Sequence, residues 1–460
     1  MNQNLLIIIY TLWIYLIGGL SLKVFNDQLI KKNNLFLNLG LSWGIGNAIL
    51  ILILYFLAFA GKLEWIQLTS GAGLLVLVLI GGMIVLMKSR KIAWRFKWQN
   101  WLLLLGSLIF LLPLIRHSFF APLNAWDALG VWLIKAKALF YFPGVIESGF
   151  FKESFYDYTH QDYPLALPLL VTAFYRLLGS VNDQAVQFYL LNFFINFIFI
   201  LTGTMIQMSK NRIALSNIFI ITLLIIEMPN MILFSHNGYA DIPMAFFMIA
   251  AMKLFFDLFS ERKTTFNTLP LLILMTLTSA SFKVEGFSFI GVMGITLLIM
   301  QWVKPKNLRK IPLVKISLAT LIGLAPITVW EIYKYKQGIA DTYAGAGLAI
   351  VNFSKLKMII HYYFNELFDT NRYLLTLILA FFVYALEVLF MISKKMIISL
   401  IPHLIIFGQL TAYTILYLIS PHPLIWQLSS FERIALPLIG MLLMLIFYNF
   451  NCLWPKKNES

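Results

Sequence analysis

The sequence predicts an all-α polytopic membrane protein, with about 13 transmembrane helices and further helices in its extracytoplasmic loops. Three observations carry this reading. Of 460 residues, 60% are hydrophobic and 12% charged, about half the charge fraction of a soluble domain. Apolar stretches long enough to cross a hydrocarbon core of about 30 Å recur along the whole chain. Lys and Arg concentrate in the short loops between them. The net charge of +15 therefore follows the positive-inside rule, and no nucleic-acid partner is expected. The single cysteine, Cys452, excludes an internal disulfide framework and a thiolate metal cluster.

Taken in order, spans are expected at 4–22, 35–60, 66–87 and 100–116. No small-residue cleavage site follows the first, which is expected to stay as an anchor. Lys88, Arg90, Lys91, Arg95 and Lys97 sit in one acid-free loop, so that loop is assigned to the cytoplasm. Loop 116–163 is then extracytoplasmic, and it is the longest polar interruption in the chain. Segments 164–179, 185–207 and 213–233 follow. Lys210 and Arg212 stay inside only if 164–179 does not cross. That segment is short, holds Pro164 and Pro168 and carries Arg176, so a re-entrant or interfacial helix is expected. Spans 241–258, 266–282, 285–303, 312–333, 371–392, 397–419 and 433–450 complete the count. Basic clusters around Arg262, Lys310 and Lys394 fall inside, and a second external loop, about 334–370, holds Asp341, His361, Glu366 and Asp369. The N-terminus is expected outside and the C-terminus inside.

Within loop 116–163, Leu129, Trp132, Leu133, Ala136 and Phe140 recur at helical spacing on one apolar face, with Lys135 and Lys137 off it. Such a helix suits a membrane surface. Asp127 opens it, either as an acid at the mouth of an active site or as an N-cap. The run His160-Gln161-Asp162-Tyr163-Pro164 offers two more candidates, or else a solvated turn before proline. His236 and Asp241 lie in a short external turn, where Asp241 also reads as a helix cap with Pro243 in the first turn. Lys283 and Glu285 tip an external hairpin, as site residues or as a local ion pair. Arg433 precedes the last span, as a site residue or as a snorkelling boundary cation. These residues share one face of the membrane, a side on which the topology itself places loop residues. Ionisable groups at such a boundary are expensive to desolvate and default to a functional reading.

The order Trp126-Asp127 with a Trp/Lys helix, His160-x-Asp162-Tyr-Pro-Leu, Gly238-Tyr-Ala-Asp241-Ile-Pro, Lys283-x-Glu285-Gly and a late Arg433 resembles the bacterial GT-C glycosyltransferases. The likeness is to the protein mannosyltransferase and aminoarabinose transferase group. It covers roughly residues 100–450, including loop 116–163; residues 1–99 are left as N-terminal transmembrane helices and 451–460 as a cytoplasmic tail. Two departures stand out: Ala128 follows Asp127 where many members have an Asp-Glu pair, and three spans precede the one that leads into the loop, where many members have only that one. The resemblance implies transfer of a sugar, with inversion, from a polyprenyl-phosphate donor to an extracytoplasmic hydroxyl on a glycan, lipid or protein. Asp127 would be the base. Arg433 would face the leaving phosphate, with Lys135, Lys137 or Lys283 as alternates. Asp162, Asp241 and Glu285 would bind sugar hydroxyls or the acceptor, with His160 and His236 beside them. A divalent metal is compatible with the resemblance, although no residues have diagnostic ligand spacing. The competing class is a transporter or flippase for a lipid-linked substrate. It predicts mid-span charges and internal repeats; the sequence offers few of the first and none of the second.

Overall fold

The computed structural model describes residues 3–66, 98–210, 212–260, 268–304, 312–340 and 352–454. Among them the chain is helical, with no strand. The span expected at 66–87 beyond its first residue, the basic loop 88–97, Arg262, Lys310 and Asp341 lie outside the described residues.

The long helices are α1 (Gln3–Lys32), α2 (Leu35–Phe59) and α3 (Trp98–Phe120). After a long loop that holds α4 (Ile134–Tyr141) come α5 (Ala166–Leu178), α6 (Asp183–Ser209), α7 (Leu215–Ile226) and α8 (Pro229–Ser235). Next are α9 (Asp241–Ser260), α10 (Leu269–Ala280), α11 (Glu285–Val303) and α12 (Leu313–Gln337). The chain closes with α13 (Leu356–Leu367), α14 (Thr376–Ser393), α15 (His403–Ile419) and α16 (Leu436–Leu453).

Among the described residues, nine helices are long and apolar enough to cross a membrane: α1, α2, α3, α6, α9, α11, α12, α14 and α16. Helices α7 and α8 make a tenth only if the 67° bend between them falls within one span. The segments expected to cross at 266–282 and 397–419 hold shorter apolar helices. Helix α10 has 12 residues and α15 has 17, or about 18 and 25 Å at 1.5 Å per residue, short of a core of about 30 Å. Helix α10 stops where apolar residues give way to Ser279, Ser281 and Lys283, and α15 stops at Ser420-Pro421. Helix α5 is shorter than the bilayer too, and protein surrounds almost all of it.

Burial sorts the bundle into a hub and a rim. Helices α9 and α6 are enclosed on nearly every side, and α2 and α16 over most of their length. Helices α1, α3, α11, α12 and α14 bury a third or less. The hub helices are apolar all round, as buried helices are. One exception is the pair Lys253–Asp257 in α9, at 2.5 Å, which Asn33 also contacts through Lys253. Helices α1 and α2 meet backbone to backbone. A Cβ on Gly18 would lie 1.7 Å from the Ser42 carbonyl oxygen, and one on Gly46 2.2 Å from that of Ile14. The cap of α2 then fixes its neighbour: Asn34 accepts from Leu37 N–H and donates to the Gly203 carbonyl of α6 at 2.7 Å.

Candidate active site

The loop between α3 and α5 folds back onto the bundle through a π-helical turn, Ala128–Leu133, that runs straight into α4. That turn corrects the expected helix face. A π turn carries more residues per turn than an α-helix, so the apolar stripe changes phase within it. Lys135, expected to face water, is fully buried together with Trp132, Leu133 and Ala136. Its ammonium donates to the His160 carbonyl and lies over the rings of Trp132 and Tyr163, 5.6 and 5.4 Å from their centroids. Burial pulls the Lys135 pKa down to about 7, against the opposing pull of Asp162. His160, left-handed at φ 53°, stacks on Tyr163 at 4.7 Å; burial lowers its pKa as well.

Asp127 directly precedes the π turn, and its side chain caps no backbone N–H. It accepts instead from Nη1 of Arg433, more than 300 residues away in sequence. The Arg433 guanidinium also lies over Tyr239, 4.9 Å from the ring centroid. Gly238 permits that approach: at φ +85°, a Cβ there would sit 2.8 Å from the Ala128 methyl. Lys283 joins the hairpin tip to α9, with Nζ 2.8 Å from Asp241 and 3.1 Å from Glu285. Burial alone would lower the Lys283 pKa, but the Asp241 and Glu285 carboxylates outweigh it and hold it above the usual lysine range. Arg433 is balanced the same way, burial being outweighed by Asp241 and Asp127.

These groups line one cavity of about 490 Å³. Asp127, His160, Asp162, Asp241, Lys283, Glu285 and Arg433 all face it. Lys135 lies behind its wall. Lys137 is elsewhere, fastening α4 to the start of α6 through Asp183 at 2.7 Å. His236 is also elsewhere, edge-on to His117 at 4.5 Å and bonded to the Ser235 hydroxyl; burial and His117 push its pKa to about 4.

Several lining residues escaped the sequence reading. Lys334 and Glu331, paired at 2.9 Å near the end of α12, face the cavity. So do Tyr413, Tyr417 and Gln427. In sequence, Lys334 is one of several lysines at the end of a span, with nothing to set it apart. A second group supports Arg433 from behind. Arg372 meets Glu366 at 2.8 Å, Asp369 at 3.2 Å and Glu432 at 2.8 Å. The Tyr373 hydroxyl donates to Glu366, and the Asn230 amide donates to that hydroxyl and to the Glu432 carbonyl. The turn that presents Arg433, Phe431–Ile434, is thereby tied to α8 and α13. Two acids shortly before Arg372, Glu366 and Asp369, were the available signal; nothing in the sequence pointed to Glu432.

The cavity wall has two characters. Charged groups come from the loop, α9 and the α10–α11 tip, while Phe287, Leu416 and Ile419 give an apolar side on α11 and α15. Among the described residues, no three His, Cys, Asp or Glu side chains form a group that could hold a metal ion. No family model, no curated protein and no solved structure matches the chain.

Proposed function

We propose that the protein is a membrane glycosyltransferase of GT-C type, moving a sugar from a polyprenyl-phosphate donor to an acceptor hydroxyl on the extracytoplasmic side of the cell membrane. The observation that carries this reading is the Asp127–Arg433 contact, in a cavity that also holds Lys283 and an apolar wall. A sugar phosphate on a hydrocarbon tail has the same two characters.

The chemistry follows from the charges. The acceptor oxygen forms its bond to the anomeric carbon as its proton passes to an Asp127 oxygen. The bond from that carbon to the phosphate oxygen breaks on the opposite face, and the polyprenyl phosphate leaves with the electron pair. Negative charge thus disappears at Asp127 and appears on the phosphate. Arg433 touches the first position and lines the space for the second, so one guanidinium can follow the charge without a general acid. Lys283, held charged by Asp241 and Glu285, adds a fixed cation. In this arrangement the acceptor is a glycan, lipid or protein. A total of about 13 crossings is reached when the bent α7–α8 pair, α10, α15 and segment 66–87 each count as one.

A flippase would use charges inside the spans. Of the buried charges within the spans, Lys253, Asp257 and Glu387 do not line the cavity, and those that do, Asp241 and Lys334, stand at span ends, which favours transfer over translocation. The test is consumption of a panel of polyprenyl-phosphate sugars by membranes holding wild type or Asp127→Asn. Wild type turns over a donor, and the variant still binds it but reacts at least about a hundredfold slower. Equal rates would move the base elsewhere, with Asp162 next to test. No turnover of any donor, with lipid translocation intact, would make the protein a flippase.

A further inference from the structure

The turn at residues 160–163 brings His160, Asp162 and Tyr163 to the cavity, and separate elements tie its backbone down. Lys135 of α4 donates to the His160 carbonyl, which also accepts from Tyr163 N–H at 3.0 Å. Trp330 of α12 donates to the Asp162 carbonyl at 3.1 Å. Between them Gln161, which does not line the cavity, donates to the Phe150 and Glu153 carbonyls at 2.8 and 2.9 Å. Just beyond, Leu165 N–H donates to the Tyr55 hydroxyl of α2 at 2.9 Å. Ala166 N–H donates to the Ser281 carbonyl at 3.1 Å, which joins the turn to the segment that carries Lys283. His160 is left-handed at φ 53°, a conformation unfavourable for any residue with a Cβ. Such a residue persists where its surroundings over-determine it, and functional sites are where this is found.

Lys135 is fully buried and does not line the cavity. An apolar side chain would fill the space beside Trp132 and Tyr163 without the cost of burying an ammonium. What the ammonium adds is its hold on the His160 carbonyl and its attraction to the Asp162 carboxylate. We propose that Lys135 is a positioning residue, which acts through this turn by holding the His160 imidazole and the Asp162 carboxylate at the angles from which they bind hydroxyls of the transferred sugar. What the turn binds rests on the glycosyltransferase reading; the hold on the turn does not.

Two measurements keep these apart. The first is amide hydrogen exchange of the full-length protein in detergent, without donor. In Lys135→Met, exchange at residues 163, 165 and 166 should quicken about tenfold, the scale of one lost hydrogen bond, with the rest of α5 unchanged. Lys135→Arg, which keeps a donor, should restore the protection. Trp330→Phe, which keeps a ring and frees the Asp162 carbonyl, makes the same comparison where Lys135→Met does not accumulate. Equal exchange in wild type and variant overturns the proposal, and so does faster exchange throughout α4 and α5, which would make Lys135 a general packing residue. The second is turnover per folded protein, on a donor that wild type consumes, by Asp162→Asn, Lys135→Met and the double variant. Lys135→Met should lower kcat/KM about ten- to a hundredfold and add little in the Asp162→Asn background. Effects that multiply would mean that Lys135 acts elsewhere, and overturn the proposal. A wild type that consumes no donor would refute the glycosyltransferase reading instead, and the exchange result would then decide the hold by itself.

Discussion

The candidate-site cavity and the region where α14, α15 and α16 meet both bury ionisable groups, but they treat them differently. Around the cavity the buried charges meet opposite charges delivered from distant segments: Asp127 with Arg433, Asp241 with Lys283, Glu366 with Arg372. Between α14 and α16, Asn449 lies between Glu387 and His403. There the neutral Asn449 amide is what faces both groups, and no ion pair holds Glu387 or His403 among the described residues. Paired charges fix geometry, because breaking one pair strands the other partner in low dielectric. Groups that face only a neutral amide strand no opposite charge when one of them is lost. The cavity is therefore the rigid region, and the α14–α16 contact owes its packing to apolar surface.

Asp241→Leu should break that contrast most severely. It strands Lys283 in a buried site and should cost about 3–5 kcal/mol. Asp241→Leu with Lys283→Leu should recover much of the loss, and thermal unfolding across the four members of the cycle reads the coupling. If the single and double variants unfold alike, the pair does not fix the site. Arg372→Ala comes next. It frees the turn under Arg433 without touching the cavity, and turnover should fall about ten- to a hundredfold, the scale of a misplaced reacting group, with partial rescue by Arg372→Lys. An unchanged rate would show that the turn holds itself.

Lys135 gives a smaller, pH-dependent effect. Its folded pKa of about 7 lies below the unfolded lysine value of about 10.4. Between those limits the unfolded chain binds a proton that the folded one has released, so stability rises with pH, by up to about 1.4 kcal/mol per unit. Unfolding temperatures at pH 7 and 8 should show the rise in wild type and less of it in Lys135→Met; equal slopes would remove Lys135 as its source. Glu387→Gln should do least, within about 1 kcal/mol, because it strands no opposite charge and the new amide can still bond Asn449. A loss as large as that of Asp241→Leu would mean that Glu387 is paired after all.

The same contrast explains what could be read from the sequence. Apolar length and loop charge placed Asp127, His160, Asp162, Asp241, Lys283, Glu285 and Arg433 on one side of the membrane, and in the structure they share a cavity. Lys137 and His236 were placed on that side too, but a common side is not a common site, and their partners Asp183 and His117 were invisible as such. Lys135 was misjudged because a π turn leaves no periodic signature at 3.6 residues. The segments expected to cross at 266–282 and 397–419 hold shorter helices, α10 and α15, because hydropathy does not register a break such as the turn at Ile397–Leu400 followed by Pro402.

The contact between Gly18 and Gly46 bears on how the chain is made. The α1–α2 hairpin is complete once residue 59 has left the ribosome, and its closest contacts need no later segment. Small residues that let backbones touch drive association within lipid. The hairpin can therefore pack during translation and present α2 as a template, with the Asn34 side chain waiting for the Gly203 carbonyl as α6 inserts. Gly18→Leu should show its defect during membrane insertion, as protein lost to quality control, before any assay of the finished bundle could register it.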